Sequence, residues 1–329
     1  MAPPVKNAVR AAAAPTEEWS SQPEVTAAHP PKNAAGDGDR RPISTVLIII
    51  AMQTEALPLV NKFHLSEDID GSLFPKGVPW VRYHGIYKEL HINLVWTGKD
   101  SILVEFSKFG CVLAGVDSIG TISASLVSYA SIQALKPDLI INAGTAGGFK
   151  AKGACVADVY LVSNVAFHDR RIPIHVIFFC VNYLYGIGAR QTFSTPNLID
   201  ELNLKVGKLS TGDSLDMSPQ DEVLILANDA VVKDMEGAAV AYVADLLSVP
   251  AIFIKAVTNT VDGQKSIAEE FLQNLIAVCT TLAQTVSQVV DFISGVYQII
   301  GIRKSTSVYR KLYINTDEYY ILKIMYQFA

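Results

Sequence analysis

The chain is predicted to fold as α/β, a single three-layer domain with a mixed, mostly parallel central sheet, and three observations predict it. From residue 45 onward, apolar runs of strand length alternate with helical stretches, the pattern of a sheet covered by helices on both faces. Half of the 329 residues are apolar, enough for a substantial core. The chemically suggestive phrases follow the apolar runs directly, at the carboxyl ends of strands, where open α/β sheets collect ligands.

Residues 1–42 hold seven of the fifteen prolines, an alanine run and five basic against five acidic residues, with no hydrophobic periodicity. They read as a disordered extension. Glu17, Glu18, Glu24, Asp37 and Asp39 argue against a transit peptide, which is poor in acids, so a cytoplasmic location is expected. The β-rich run at 45–51 is a strand and 54–63 a helix. Strands are expected at 80–83 and 90–96, a helix at 118–135, and strands at 138–142, 156–164 and 205–211. Glu236 ends a strand at 230–235 and opens a helix at 236–247; 251–257 is a strand and 268–293 a long final helix.

Composition narrows the function. A net charge of −5 and a pI near 5.7 offer no basic stripe to a phosphate backbone, so nucleic acid is not an expected partner. No uninterrupted apolar run exceeds the seven residues of 46–52, far below the roughly 18 residues of a membrane span. The four cysteines, at 111, 155, 180 and 279, form no CxxC pair, which suggests neither a disulfide framework nor a zinc site.

Taken singly, the candidate residues are ambiguous. Glu55 in AMQTEA (51–56) reads as a glutamate at a helix N-terminus, where the dipole favours it. The run NAGTAGG (142–148) is glycine-rich but lacks the GxGxxG spacing and the ribose-binding acid of a dinucleotide loop; by itself it is a tight turn between strand and helix. Glu236 reads as a helix-capping acid, Lys255 as a strand-edge lysine that snorkels to water, and His168 as a loop histidine satisfied by local hydrogen bonds.

Together the phrases IAMQTEA (50–56), NAGTAGG (142–148), STGDSL (210–215) and VKDMEGAAV (232–240) resemble the 5′-methylthioadenosine/S-adenosylhomocysteine nucleosidases of the nucleoside phosphorylase superfamily, most closely the plant type. The resemblance runs from about residue 43 to 295. It implies a nucleoside phosphorylase-like fold, and it implies a role for each site residue. Glu55 orients and activates the hydrolytic water. Thr145 and Ala146 lie closest to sugar and base, where glycine neighbours let the backbone approach. Glu236 grips the ribose 2′- and 3′-hydroxyls, with Met235 beside the sugar; a carboxylate suits two hydroxyl donors. Leu215 packs over adenine while main-chain groups there read its edge. Lys255 supports the water-side carboxylate. No cofactor is implied, because water is the second substrate. The loop His168 to Arg171 leads, by resemblance, into a segment that crosses a homodimer interface and helps form the neighbour's 5′-alkylthio pocket.

The departures from the family pattern are as informative. Asn259 stands where the family has an aspartate that protonates or hydrogen-bonds adenine N7. An amide can donate a hydrogen bond but cannot deliver a proton. Gln264, Ser266 and Ile267 also differ from the expected sequence after Asp262-Gly263. Stretches at 102–114 and 175–184 interrupt the resemblance, and 296–329 forms a divergent tail in a C-terminal region with six of the thirteen tyrosines in the last 35 residues. Two explanations stand for these stretches: translated intron sequence, or lengthened surface loops, which cost only about 0.6 kcal/mol per doubling.

The expected function is therefore hydrolysis of the N-glycosidic bond of 5′-methylthioadenosine, and of S-adenosylhomocysteine if its longer tail fits, to adenine and the thio-ribose in methionine salvage. Asn259 raises an alternative, a catalytically weak nucleoside-binding or storage protein. A purine nucleoside phosphorylase is a further alternative, which Glu55 opposes because it would repel phosphate.

Overall fold

The computed structural model describes residues 43–69, 73–106, 110–170 and 188–303. The expected extension at 1–42, the stretch at 175–184 and residues 304–329 of the tail lie outside these. In chain order the strands are β1 (Thr45–Ile50), β2 (Ser66–Glu67), β3 (Val81–Tyr87), β4 (Leu90–Trp96), β5 (Lys99–Phe106), β6 (Gly110–Asp117), β7 (Leu139–Gly148), β8 (Val159–Phe167), β9 (Arg190–Gln191), β10 (Lys205–Thr211), β11 (Val232–Asp234) and β12 (Ala251–Thr260). The helices are α1 (Gln53–Phe63), α2 (Thr121–Leu135), α3 (Pro196–Leu202), α4 (Pro219–Ala227), α5 (Gly237–Leu246) and α6 (Ile267–Arg303).

β1 explains the three layers. It runs parallel to both β4 and β7, and side chains alternate across a strand. Val46, Ile48 and Ile50 therefore enter the core under α1 and α6. Leu47 and Ile49 enter the opposite core under α2 and α5. All five are buried, so a strand with both faces covered reads as an unbroken apolar run.

The main sheet follows the order β11-β10-β8-β12-β7-β1-β4-β3-β2, with β9 on β8. Its centre is parallel, from β12–β7 through β7–β1 to β1–β4. Antiparallel pairs β3–β4 and β12–β8 make it mixed. β5 and β6 form a separate antiparallel hairpin outside it. That hairpin contains most of the stretch 102–114.

Several boundaries differ from expectation, each for a local reason. The glycine-rich run 144–148, expected as a turn, continues β7 as strand. Its end pairs with β12 on one side and, antiparallel, with β11 at Gly147 and Gly148 on the other. This double pairing requires bare backbone: a Cβ on Gly148 would stand 2.8 Å from both Ala154 and Val257 side chains. The strand expected at 156–164 begins later, at Val159, because Asp158 first closes a turn on the Cys155 amide. α2 starts at Thr121 rather than 118, since Gly120 at its N-cap takes φ 104°, open chiefly to glycine.

α6 outruns the expected 268–293. Its stretch 267–295 is long and apolar enough to cross a membrane by length and composition alone. Val278, Leu282, Val286, Val289 and Val290, however, are buried in the core beneath the sheet. That is the position of a core helix.

Candidate active site

The carboxyl ends of β1, β7, β11 and β12 bring the site together. Glu55 sits in the first turn of α1, directly after β1, and is 2% exposed. Thr145 donates to its Oε1 twice, from the backbone N–H at 2.6 Å and from the hydroxyl at 2.7 Å. The Met52 N–H reaches Oε2 at 3.2 Å. Burial raises the Glu55 pKa, and the Thr145 bonds followed by the field of Lys255 act against that rise. The result is a carboxylate more basic than usual but held firmly in one orientation.

Lys255, on β12, does not snorkel; its side chain is 1% exposed and its Nζ lies 2.8 Å from Asp234 Oδ2. Its ion pair is therefore with Asp234, whereas the expected partner was Glu55. It still stands near Glu55: a Cβ on Gly144 would be 3.4 Å from Glu55 Oε1 and 3.5 Å from Lys255 Nζ. Asp234 is further held by the Thr211 hydroxyl at 2.6 Å and the Gly237 N–H at 2.9 Å. A buried pair survives only when its remaining hydrogen-bonding capacity is met in this way.

Sequence reading passed over Asp234. The available signal was its spacing two residues before Glu236, two acids at the end of one strand.

Glu236 occupies the N-cap of α5. Its Oε1 accepts the Gly120 N–H at 2.9 Å, so the glycine that starts α2 also fixes this acid. A Cβ on Gly120 would stand 2.8 Å from Asp213 Oδ1. Burial first, then the negative charge of Asp234, pushes the Glu236 pKa up to about 7. Met235, between β11 and α5, is half-buried. Glu55, Asp234 and Glu236 thus form a buried acidic group balanced by one buried lysine.

On the neighbouring strand end the register of β12 against β7 slips between Val257 and Asn259, a bulge at Thr258. Asn259 is 3% exposed and pairs with Gly147 across the ladder. Its Oδ1 accepts the Thr258 hydroxyl at 2.9 Å, which turns Nδ2 toward Gly147, where a Cβ would be 3.3 Å away. Thr258 Oγ1 also lies 3.3 Å from the buried Ala146 carbonyl. From α6, Asn274 Nδ2 donates to the bulged Thr258 carbonyl at 2.9 Å, and Glu270 accepts the Thr260 N–H at 2.7 Å. Sequence reading missed both helix residues, because nothing local marks a clamp that comes from a different element.

Asp262 is occupied elsewhere. Its carboxylate accepts the N–H groups of Lys150 and Ala151 at 2.7 and 2.8 Å, so it is no substitute acid for residue 259.

Leu215 is half exposed, in the loop after β10. The loop is tied down by Asp213, which takes the Thr121 N–H and hydroxyl, both at 2.6 Å. His168, at the end of β8, is buried with Nδ1 3.1 Å from Ser210 Oγ. Burial, aided by Lys233, lowers its pKa to about 4. It is neutral near pH 7. The segment beyond Arg170, where the 5′-alkylthio pocket was expected, lies outside the described residues up to Gly188.

Comparison with known proteins follows the geometry. The family model described as Phosphorylase superfamily matches residues 45–291. A 5′-methylthioadenosine nucleosidase of Arabidopsis thaliana is 63% identical over 255 residues, covering 78% of this chain and 89% of that protein. A 5′-methylthioadenosine/S-adenosylhomocysteine nucleosidase of the same plant is 60% identical over 260 residues, 79% of this chain and 96% of the relative. The solved apo structure of Arabidopsis thaliana 5′-methylthioadenosine nucleosidase matches with a TM-score of 0.70 at 62% identity, covering 78% of this chain and 98% of that one. The α/β fold expected from the sequence is the fold of these relatives.

Proposed function

The chain belongs to the phosphorylase superfamily, and from that premise we propose that it is a nucleosidase, cleaving the N-glycosidic bond of 5′-methylthioadenosine to release adenine and the thio-ribose. The observation that carries this reading is the pair of buried carboxylates, Glu55 and Glu236, both within the field of Lys255 in its buried ion pair with Asp234. The two Arabidopsis relatives, named as nucleosidases for this substrate, support it. The second relative's name adds S-adenosylhomocysteine as a further substrate to assay.

In this reading Glu55 takes a proton from the attacking water. Two bonds from Thr145 occupy Oε1, while Oε2 takes only the longer Met52 N–H bond and keeps a lone pair for the water. Glu236 accepts the ribose hydroxyls, and the surrounding negative charge favours the electron-deficient sugar centre that forms as the base departs, as in other glycoside hydrolyses. Asn259 offers its amide N–H to the base but no proton. Loss of a general acid costs roughly 10²–10⁴ in rate, so turnover is slow. That same residue is the specific support for a second reading, a nucleoside binder with little hydrolysis. Adenine release from 5′-methylthioadenosine, beside calorimetric binding, decides between them: heat with adenine release supports the enzyme, heat alone the binder, and neither ends both.

The site works without a cofactor in this proposal, in the cytoplasm, with neither nucleic acid nor membrane as partner. The active form is a homodimer. α2 buries Ala124, Val127 and Ile132 inward while Ile122, Leu126 and Tyr129, 73, 56 and 51% exposed, line its outer side at helical spacing. A contiguous outward apolar face marks an interaction surface. Sedimentation should give a dimer that Leu126→Asp splits; a wild-type monomer would remove the dimer from the proposal.

A further inference from the structure

Lys233 is a lysine almost without exposure, 4%, on the strand that carries Asp234. Its Nζ donates to two successive carbonyls of the loop after β10, Ser214 at 2.5 Å and Leu215 at 3.2 Å. Burial holds its pKa below the ordinary lysine value, against the fields of Asp234, Asp216, Asp221 and Asp169. A surface lysine can serve as a solvated charge, but this one is committed to the main chain of a single loop.

The consequence follows from peptide geometry. In a planar trans peptide the C=O and the next N–H point in opposite directions. Turning the carbonyls of 214 and 215 toward one ammonium turns the N–H groups of Leu215 and Asp216 away from it. Neither of these two amides donates to another group among the described residues. Adjacent N–H groups aimed the same way form a concavity for an acceptor atom. A 6-amino purine presents unprotonated ring nitrogens along its edge, whereas a 6-oxo purine carries a hydrogen on N1.

We propose that Lys233 is a positioning residue for base selection: by drawing in the Ser214 and Leu215 carbonyls it aims the Leu215 and Asp216 amides at the acceptor edge of a 6-amino purine. The inference rests on the nucleosidase reading of the site. Among the described residues the loop is also anchored at Asp213, whose carboxylate holds the start of α2 and whose N–H donates to Asp169, but neither contact touches the 214 or 215 carbonyl; Lys233 settles their orientation.

The test uses the full chain and calorimetry with three ligands: 5′-methylthioadenosine, 5′-methylthioinosine and 5-methylthioribose. Folded Lys233→Met should lose about tenfold in affinity for the adenine nucleoside, the worth of a hydrogen bond or two, and with it the preference over the inosine analogue. Affinity for the base-free sugar should stay unchanged, and Lys233→Gln should fall between wild type and Lys233→Met. Should Lys233→Met not fold, Lys233→Gln carries the test by its own partial loss of discrimination. Unchanged discrimination in the folded variants, or an equal loss on all three ligands, overturns the proposal while leaving the nucleosidase reading in place. No heat from the wild-type chain with 5′-methylthioadenosine removes that reading, and this inference with it.

Discussion

The half of the site around Lys255 and the half around residue 259 are built by different rules. Around Lys255, three acids and one cation are buried together, and each acid is fixed by N–H or hydroxyl donors from a different element. Around residue 259, the groups in direct contact are neutral, an amide, a threonine hydroxyl and backbone carbonyls, with the Glu270 carboxylate of α6 bonded one residue further on at Thr260. The first half can hold and move charge. The second can only orient hydrogen bonds. In the proposed nucleosidase reading, chemistry at the sugar and water is thus equipped, while protonation of the leaving base is not, even though the backbone that would present the acid is held in place.

The largest expected effect restores a charge to the neutral half. Asn259→Asp keeps the Thr258 hydroxyl bond and adds a proton donor, so hydrolysis of 5′-methylthioadenosine should rise by about 10²–10⁴ with affinity nearly constant. Steady-state adenine release measures it, and an unchanged rate would mean that the charged half, too, is out of order.

Next comes removal of the cation from the charged half. Lys255→Met leaves Asp234 buried without its counter-ion, and breaking such a pair costs about 3–5 kcal/mol. Urea denaturation should register this as a lowered midpoint. A change within experimental error would show that the acids are not held by the lysine.

A smaller loss is expected from Glu236→Gln, which removes a charge-assisted contact worth about 1.5–3 kcal/mol. Nucleoside affinity should drop accordingly, with the fold intact. Retained affinity would take the ribose role away from this residue.

The finest distinction is in pH. Because burial pushes the Glu236 pKa up to about 7, and a diol donating to the carboxylate favours its ionised form, nucleoside affinity should climb as pH rises through about 7 and level off above. Calorimetry in Glu236→Gln should show no such climb. The free protein's stability runs the other way. With the folded value raised from 4.5 to about 7, the support from protonated Glu236 is full only below the ordinary value and is lost progressively as pH rises to about 7.

Much of the architecture was legible in the chain itself. The run 45–50 is apolar at every residue from Val46 to Ile50, as a strand covered on both sides requires. The ends of β10 at Lys205 and Thr211 fall where the β-rich run ends. The glycine run of β7 was less readable: its residues permit a turn equally well, and the strand forms because β11 and β12 arrive on its two sides.

The site divides in the same way. Residue types, spacing and family likeness pointed to acids at 55 and 236, a lysine at 255 and an amide at 259 as parts of one site: the two acids come just after strands, and the lysine and the amide lie on β12. Only the tertiary structure decided which partners they take: Lys255 with Asp234, Glu236 with the amide of Gly120 at the N-cap of α2, Lys233 with two loop carbonyls, Asp262 with the 150–151 amides. The physical reason is range. Periodicity records which face of an element is buried, whereas a hydrogen bond or ion pair between distant elements depends on distances of a few ångströms that exist only once the sheet has assembled.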